Sequence, residues 1–294
     1  IDAVAVTEPA VQLPQVPGLF HIERGGARVA AAGLPLYDYM TWANLYQPCA
    51  GIAPELAGTP FHASYVALFG FVATNRCASL RAKGWLSADT PAAQASEALA
   101  KLRSRGWEPD SDALQASSAA FEIPSAVSVT FANAYSRASV TESLCGYSFG
   151  AVASTNLPTP LAAASLAGMF ATGNGVPPSS GVALINDRSV GGPRRDVGSI
   201  SPSTGAFDMN ADGALCLRGL LDGTDARAKA LRAGIDEATR SGELRGRPTI
   251  VVQGRADALL PVNHAGRAYT AFHKVVDGRR SRLSYIEVTN AQHF

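Results

Sequence analysis

An α/β fold, with a parallel sheet assembled near the C-terminus, is the class this sequence predicts, and three observations predict it. Residues 250–253 (Ile250-Val251-Val252-Gln253) form a short β-branched run after Pro248, the pattern of a buried parallel strand. Residues 263–276 place Ala265, Ala268, Tyr269, Phe272 and Val276 on or near one helical face, and Asp277-Gly278 supplies the stop. Leu283–Val288 then alternates apolar and polar residues as a strand does. Strand, helix and strand in that order make a parallel crossover.

Taken from the start, Ile1-Asp2-Ala3-Val4-Ala5-Val6-Thr7 reads as a buried strand already under way, with Glu8-Pro9 leaving it. No Met and no cationic, apolar leader precedes it, so the chain is expected to be an internal segment cut at both ends. Helical patterns follow near 36–50 and 91–106, where Pro91 and Glu97 suit a helix start. Gly, Pro and Ser dominate 172–207. The expected organisation is a core strand segment at 1–22, a large, mainly helical and loop-rich insertion at 23–225, and core strands and helices at 226–294. An insertion of this size in an α/β enzyme forms a lid, or else a packed decoration that does not move.

Asp257 and His293 carry the chemistry. Asp257 follows the first strand in Gly254-Arg255-Ala256-Asp257, closed by Leu259-Leu260-Pro261-Val262, and His293 follows the second in Asn290-Ala291-Gln292-His293. Strand–Asp–helix–strand–His is the order in which α/β-hydrolases deliver the acid and base of a Ser–His–Asp triad. A neutral histidine takes the serine proton, and a buried carboxylate fixes its tautomer and stabilises the imidazolium. Either residue alone can be a loop Asp or a loop His; the ordered context favours the pair. The predicted fold is therefore a partial α/β-hydrolase core with a lid.

The nucleophile is harder to find. Gly146-Tyr147-Ser148-Phe149-Gly150 matches Gly-x-Ser-x-Gly, but an elbow needs an apolar strand before it and a helix after it. Glu142 and Ser143 make the upstream stretch polar, and Pro158 and Pro160 limit any helix downstream. Ser148 is expected in a turn beside Cys145 and outside the Asp257–His293 site.

Composition removes several classes. A net charge of +1 offers no pull toward nucleic acid or anionic membranes. No apolar run reaches the length a membrane helix needs. Hydrophobic content of 47% permits a substantial core. Cys49, Cys77, Cys145 and Cys216 all fall inside the insertion; they can be two disulfides in any of three pairings, or free buried cysteines. No Cys/His cluster suggests zinc. Asp208-Met209-Asn210-Ala211-Asp212-Gly213 copies the start of a calcium loop, but its twelfth position is Gly219 where a bidentate carboxylate belongs, so an Asx-rich turn is the better expectation. Neither metal nor cofactor is expected.

Long blocks of the chain resemble the (R)-3-hydroxybutyrate oligomer hydrolases, also called hydroxybutyrate-dimer hydrolases. They are Glu8-Pro9 with Val11-Gln12-Leu13, Leu36-Tyr37-Asp38-Tyr39, Asn44-Leu45-Tyr46-Gln47-Pro48-Cys49, Asn75-Arg76-Cys77, Leu144–Phe149, Asn186-Asp187-Arg188, Gly254–His264 and Asn290–Phe294. The similarity covers essentially the whole chain. It implies a secreted or periplasmic serine esterase cleaving short 3-hydroxybutyrate oligomers released from polyhydroxybutyrate, with a small-molecule ester as its partner. An oxidising compartment favours disulfides. In that family the serine stands in a Ser-Asn-Gly-Gly elbow shortly before the segment matching Val4–Pro9, and no Ser-Asn-Gly occurs here. The resemblance thus carries over only Asp257 and His293. It implies that the nucleophile lies in a missing N-terminal segment of the same polypeptide and that this chain alone is inactive. The alternatives are another esterase or peptidase on the same scaffold, and a non-catalytic binding module on a degenerate hydrolase fold.

Overall fold

The structure, a computed structural model, describes residues 3–7, 9, 11–14, 16, 18–24, 27–31, 33–152, 158–159, 161–170 and 182–293. Ile1, Asp2 and Glu8 of the expected first strand, Pro160, residues 171–181 of the Gly/Pro/Ser stretch and the terminal Phe294 lie outside the described residues. The strands are β1 (Val4–Thr7), β2 (Phe20–Arg24), β3 (Ala27–Ala31), β4 (Tyr147–Val152), β5 (Pro158–Thr159), β6 (Val182–Asn186), β7 (Arg194–Arg195), β8 (Thr249–Gly254) and β9 (Leu283–Val288). The helices are α1 (Leu36–Ala50), α2 (His62–Ala82), α3 (Pro91–Ser104), α4 (Asp112–Ala120), α5 (Ile123–Ser136), α6 (Ala163–Phe170), α7 (Ala211–Asp222), α8 (Ala226–Ala238) and α9 (Gly266–Asp277). The chain divides into two compact units, one of Ile1–Tyr39, Arg103–Leu114 and Glu237–Phe294, the other of Met40–Leu102 and Gln115–Asp236.

The first unit is built on a parallel sheet in the order β1-β8-β9, with Val4 opposite Thr249 and Thr249 opposite Leu283. The β-branched residues of β8 suit this pleated position at the centre of the sheet. α9 makes the crossover from β8 to β9, burying Gly266, Ala268, Thr270 and His273. The other face of the sheet carries Ile250, Ile286 and Val288, which are 46%, 49% and 41% exposed. A parallel sheet is normally covered on both faces.

The expected division put 23–39 and 103–114 in the insertion and 226–236 in the core, whereas 23–39 and 103–114 group with the first unit and 226–236 with the second. Side-chain bonds across long sequence separations explain the first placement. Asn263 Nδ2 donates to the Gly106 carbonyl at 2.9 Å, and Arg267 meets Glu108 at 2.9 Å. His264 Nδ1 accepts from the Leu34 amide at 2.9 Å, so Nε2 donates to the Arg105 carbonyl at 2.7 Å, while the ring stacks on Tyr39. Burial pushes His264 down to about 4, against the pull of those two backbone bonds, and keeps it neutral at pH 7. Gly106, at φ +100°, leaves room for this ring; a Cβ there would stand 2.6 Å from Nε2.

The second unit packs helices around buried Tyr46, Tyr65 and Arg76 and carries an antiparallel sheet in the order β5-β4-β6-β7. α1 and α3 fall on the two helical patterns read from the sequence. Arg76 is fully buried, and its guanidinium donates to the carbonyls of Asn44, Leu45, Asp208 and Met209. Those four acceptors meet the need of a buried cation for hydrogen-bond partners. Two disulfides cross-link the unit, Cys49 to Cys77 and Cys145 to Cys216. The segment at 208–219 leads into helix α7. Asn210 caps α7 through the Gly213 amide at 3.0 Å, and the Asp208 carboxylate accepts from the hydroxyls of Ser79, Ser201 and Thr204.

Candidate active site

Asp257 lies three residues beyond β8 and His293 five beyond β9, so both stand at the C-terminal edge of the parallel sheet. Open parallel sheets build their sites at that edge. His293 Nδ1 donates to Asp257 Oδ2 at 3.1 Å, and the imidazole keeps 17% exposure while the carboxylate has none. The structure brings this sequence-predicted pair together.

Asp257 is held by three further donors. The amides of Leu259 and Leu260 reach Oδ1, each at 2.8 Å. Gln253 Nε2 reaches Oδ2 at 3.2 Å; it also donates to the Leu260 carbonyl at 3.2 Å, and its Oε1 accepts from the Gly266 amide at 3.2 Å. Gln253 therefore ties the strand end, the Asp257 loop and the start of α9 to one side chain. Sequence reading passed over it as an ordinary strand residue. The signal was there: a fully buried amide at the C-terminal end of an apolar strand needs partners on every polar atom.

The loop bearing His293 is pinned to the one bearing Asp257. The Arg255 amide donates to the Val288 carbonyl and the Ala256 amide to the Ala291 carbonyl, both at 2.9 Å. Gly254 permits that approach, since a Cβ there would lie 2.6 Å from the Ala291 oxygen. Asn290 turns the chain at φ +56°. Beside this latch Glu287 meets Arg255 at 2.6 Å and Arg267 at 2.5 Å and accepts from the Tyr285 hydroxyl at 3.0 Å. Burial acts to raise the Glu287 carboxyl, but the hydrogen bonds and charge of Arg267, helped by Arg255, outweigh it and hold it below the usual range.

Ser148 belongs to the second unit. The turn beside Cys145 covers Leu144–Gly146, and Ser148 is the second residue of β4, following a turn and running on along a strand. That is the reverse of an elbow, in which a strand enters the turn and a helix leaves it. Its hydroxyl donates to Asp187 Oδ1 at 2.9 Å. The four cysteines, open to three pairings in the sequence, take the two bridges described above. Among the described residues no cluster of three or more His, Cys, Asp or Glu is arranged to hold a metal, and no helix is long and apolar enough to cross a membrane.

The arrangement is a buried carboxylate that accepts a hydrogen bond from a largely buried imidazole, both carried on a parallel strand–helix–strand crossover. The chain belongs to the 3HB-oligomer hydrolase family, whose model matches residues 1–294. It is 56% identical to the D-(-)-3-hydroxybutyrate oligomer hydrolase of Paracidovorax citrulli, covering all of this chain and 42% of that protein. Proteins of the same name from Cupriavidus metallidurans and Azoarcus sp. are 53% and 48% identical, again over all of this chain and over 40% and 41% of theirs. The chain spans about two fifths of the length of these relatives. No solved structure gives a significant match.

Proposed function

We propose that residues 1–294 supply the acid and base of a serine esterase that hydrolyses short 3-hydroxybutyrate oligomers, on a partial α/β-hydrolase core with a lid insertion. The observation that carries this reading is the 3.1 Å bond from His293 Nδ1 to a buried Asp257 that three other donors hold in place. With Nδ1–H committed to the carboxylate, Nε2 is the nitrogen that takes the serine proton and later returns it to the leaving alkoxide. Asp257 keeps the tautomer and stabilises the imidazolium. The serine attacks the ester carbonyl, the acyl-enzyme forms, and water releases 3-hydroxybutyrate.

In this reading the nucleophile and oxyanion donors come from outside residues 1–294. The half-exposed apolar face of β8 and β9 supports it, because a parallel sheet of this kind is part of a larger, two-sided core. The two disulfides support an oxidising compartment, hence a secreted or periplasmic protein. The substrate class rests on the names of the relatives. The test compares the full-length protein with residues 1–294 on hydroxybutyrate dimer: the former cleaves it and the latter does not. Equal rates from both sink the reading and make Ser148 the first residue to mutate. Cleavage of peptide or feruloyl substrates in place of the dimer points to another hydrolase.

A further inference from the structure

A cavity of about 470 Å³ opens on the antiparallel sheet of the second unit, within the usual size of a small-molecule site. Its walls are mainly apolar, among them Val140, Phe149, Leu161, Leu166 and Ile185. Its polar pole is Asp187, the residue after β6. Asp187 Oδ2 accepts from Ser143 Oγ at 2.6 Å and Oδ1 from Ser148 Oγ at 2.9 Å. Ser143 and Cys145 both hold positive φ, 50° and 56°, in the turn that leads into β4, where Ser148 stands. Left-handed backbone at residues other than glycine persists only where its surroundings enforce it, and it gathers at ligand sites. The Cys145–Cys216 bridge anchors this turn to α7.

The chemistry of the pole restricts what it can hold. Both serine protons are committed to the carboxylate, so the three groups offer the cavity acceptor lone pairs and a negative charge. A ligand carboxylate is repelled there, and a plain hydrocarbon leaves the carboxylate unmet. A hydroxyl on an aliphatic body satisfies both halves of the pocket.

We propose that this pocket binds the free hydroxyl end of a short 3-hydroxyacyl ester, with the hydroxyl donating to Asp187 and the methyl and methylene groups against the apolar wall. The ligand class rests on the function proposed above, since a hydroxybutyrate oligomer has one hydroxyl end and one carboxylate end and the pocket's charge admits only the first. No bond is made or broken here, and Ser148 acts as a positioning residue that keeps the Asp187 carboxylate turned toward the cavity.

The test is saturation-transfer NMR on residues 1–294, titrated with methyl (R)-3-hydroxybutyrate, its O-methyl ether and butylammonium. The hydroxy ester is expected to bind saturably in the millimolar range. Blocking the hydroxyl as the ether, or Asp187→Ala, weakens binding roughly tenfold or more, as losing a hydrogen bond to a charged group does. Thr159→Trp crowds the cavity from its β5 lining and removes neither Asp187 nor its serine donors, and it abolishes binding even if Asp187→Ala fails to fold. Equal binding of ester and ether, tighter binding of butylammonium, binding that survives Thr159→Trp, or no saturable binding overturns the proposal. His293→Ala, which disables the proposed catalytic pair, does not move this readout. A failure of the hydrolase reading therefore shows separately, as dimer cleavage by the full-length protein that survives His293→Ala.

Discussion

Asp257 and Asp187 both follow a strand and both accept from a side chain that can carry a proton, and they are held by different donors. Asp257 is fully buried and receives two amides, a Gln253 side chain and the His293 imidazole. Asp187 is half-buried and receives two serine hydroxyls. The difference teaches that a carboxylate's role is set by its donors. An imidazole on a carboxylate makes a base; a hydroxyl on a carboxylate makes a held hydroxyl, because a carboxylate is far too weak a base to leave an alkoxide at neutral pH. A Gly-x-Ser-x-Gly match therefore means little until the serine's partner is known.

The largest expected effect tests that contrast directly. In the full-length protein, His293→Ala lowers kcat for hydroxybutyrate dimer by a factor on the order of a million, and Asp257→Asn by on the order of ten thousand. Ser148→Ala is expected to leave kcat close to the parent value; a kcat loss as deep as that of His293→Ala inverts the comparison. Gly254→Ala comes next. Its Cβ collides with the Ala291 carbonyl, the His293 loop shifts, and kcat is expected to fall about a hundredfold, the cost of an ångström of misplacement. Gln253→Leu tests the donor set without removing the pair: it strips Asp257 of one donor and leaves the Gly266 amide and Leu260 carbonyl short of partners. Urea unfolding should show a loss of about 3 kcal/mol.

The smallest effect extends the comparison to a carboxylate with too few donors. Glu122 is buried in the second unit and accepts from the Val197 amide at 2.8 Å. Burial dominates, the Arg195 charge and the Val197 bond only partly offset it, and its pKa is pushed up to about 7 from 4.5. Asp196, also raised by burial and by the nearby Glu122, adds to the same site. The folded state thus holds a proton that the unfolded chain has lost. The stability this represents is complete below pH 4.5, falls as pH rises to about 7 and is flat above that. Glu122→Gln should shrink that fall to the part Asp196 contributes and leave the chain more stable at pH 8, by on the order of 2 kcal/mol. Thermal melts of both forms from pH 4 to pH 8 check it, and parallel curves refute it.

Much of the first unit was legible because its elements announce themselves locally. The strand expected at Leu283–Val288 has those bounds in the structure, that at 250–253 extends by one residue at each end, and the helix expected at 263–276 runs from Gly266 to Asp277. The second unit was legible only in part. α1 and α3 show helical spacing, but the antiparallel sheet was not read, since β4 (YSFGAV) is broken by a glycine and β5 and β7 have two residues each. Short strands stabilised by neighbours leave little periodic trace.

The sequence by itself determined the strand–helix–strand order and put Asp257 and His293 on the loops that follow the strands, because periodicity of burial is a local property of the chain. Only the tertiary structure decided that the two meet at 3.1 Å, that Gln253 and Gly254 hold them there, that 103–114 groups with the first unit, and that Cys49 pairs with Cys77 and Cys145 with Cys216. These are directional contacts between residues as much as 230 positions apart, as for Leu34 and His264. Hydrogen bonds and disulfides need atoms at set distances and angles, and that geometry exists only once the chain has closed on itself.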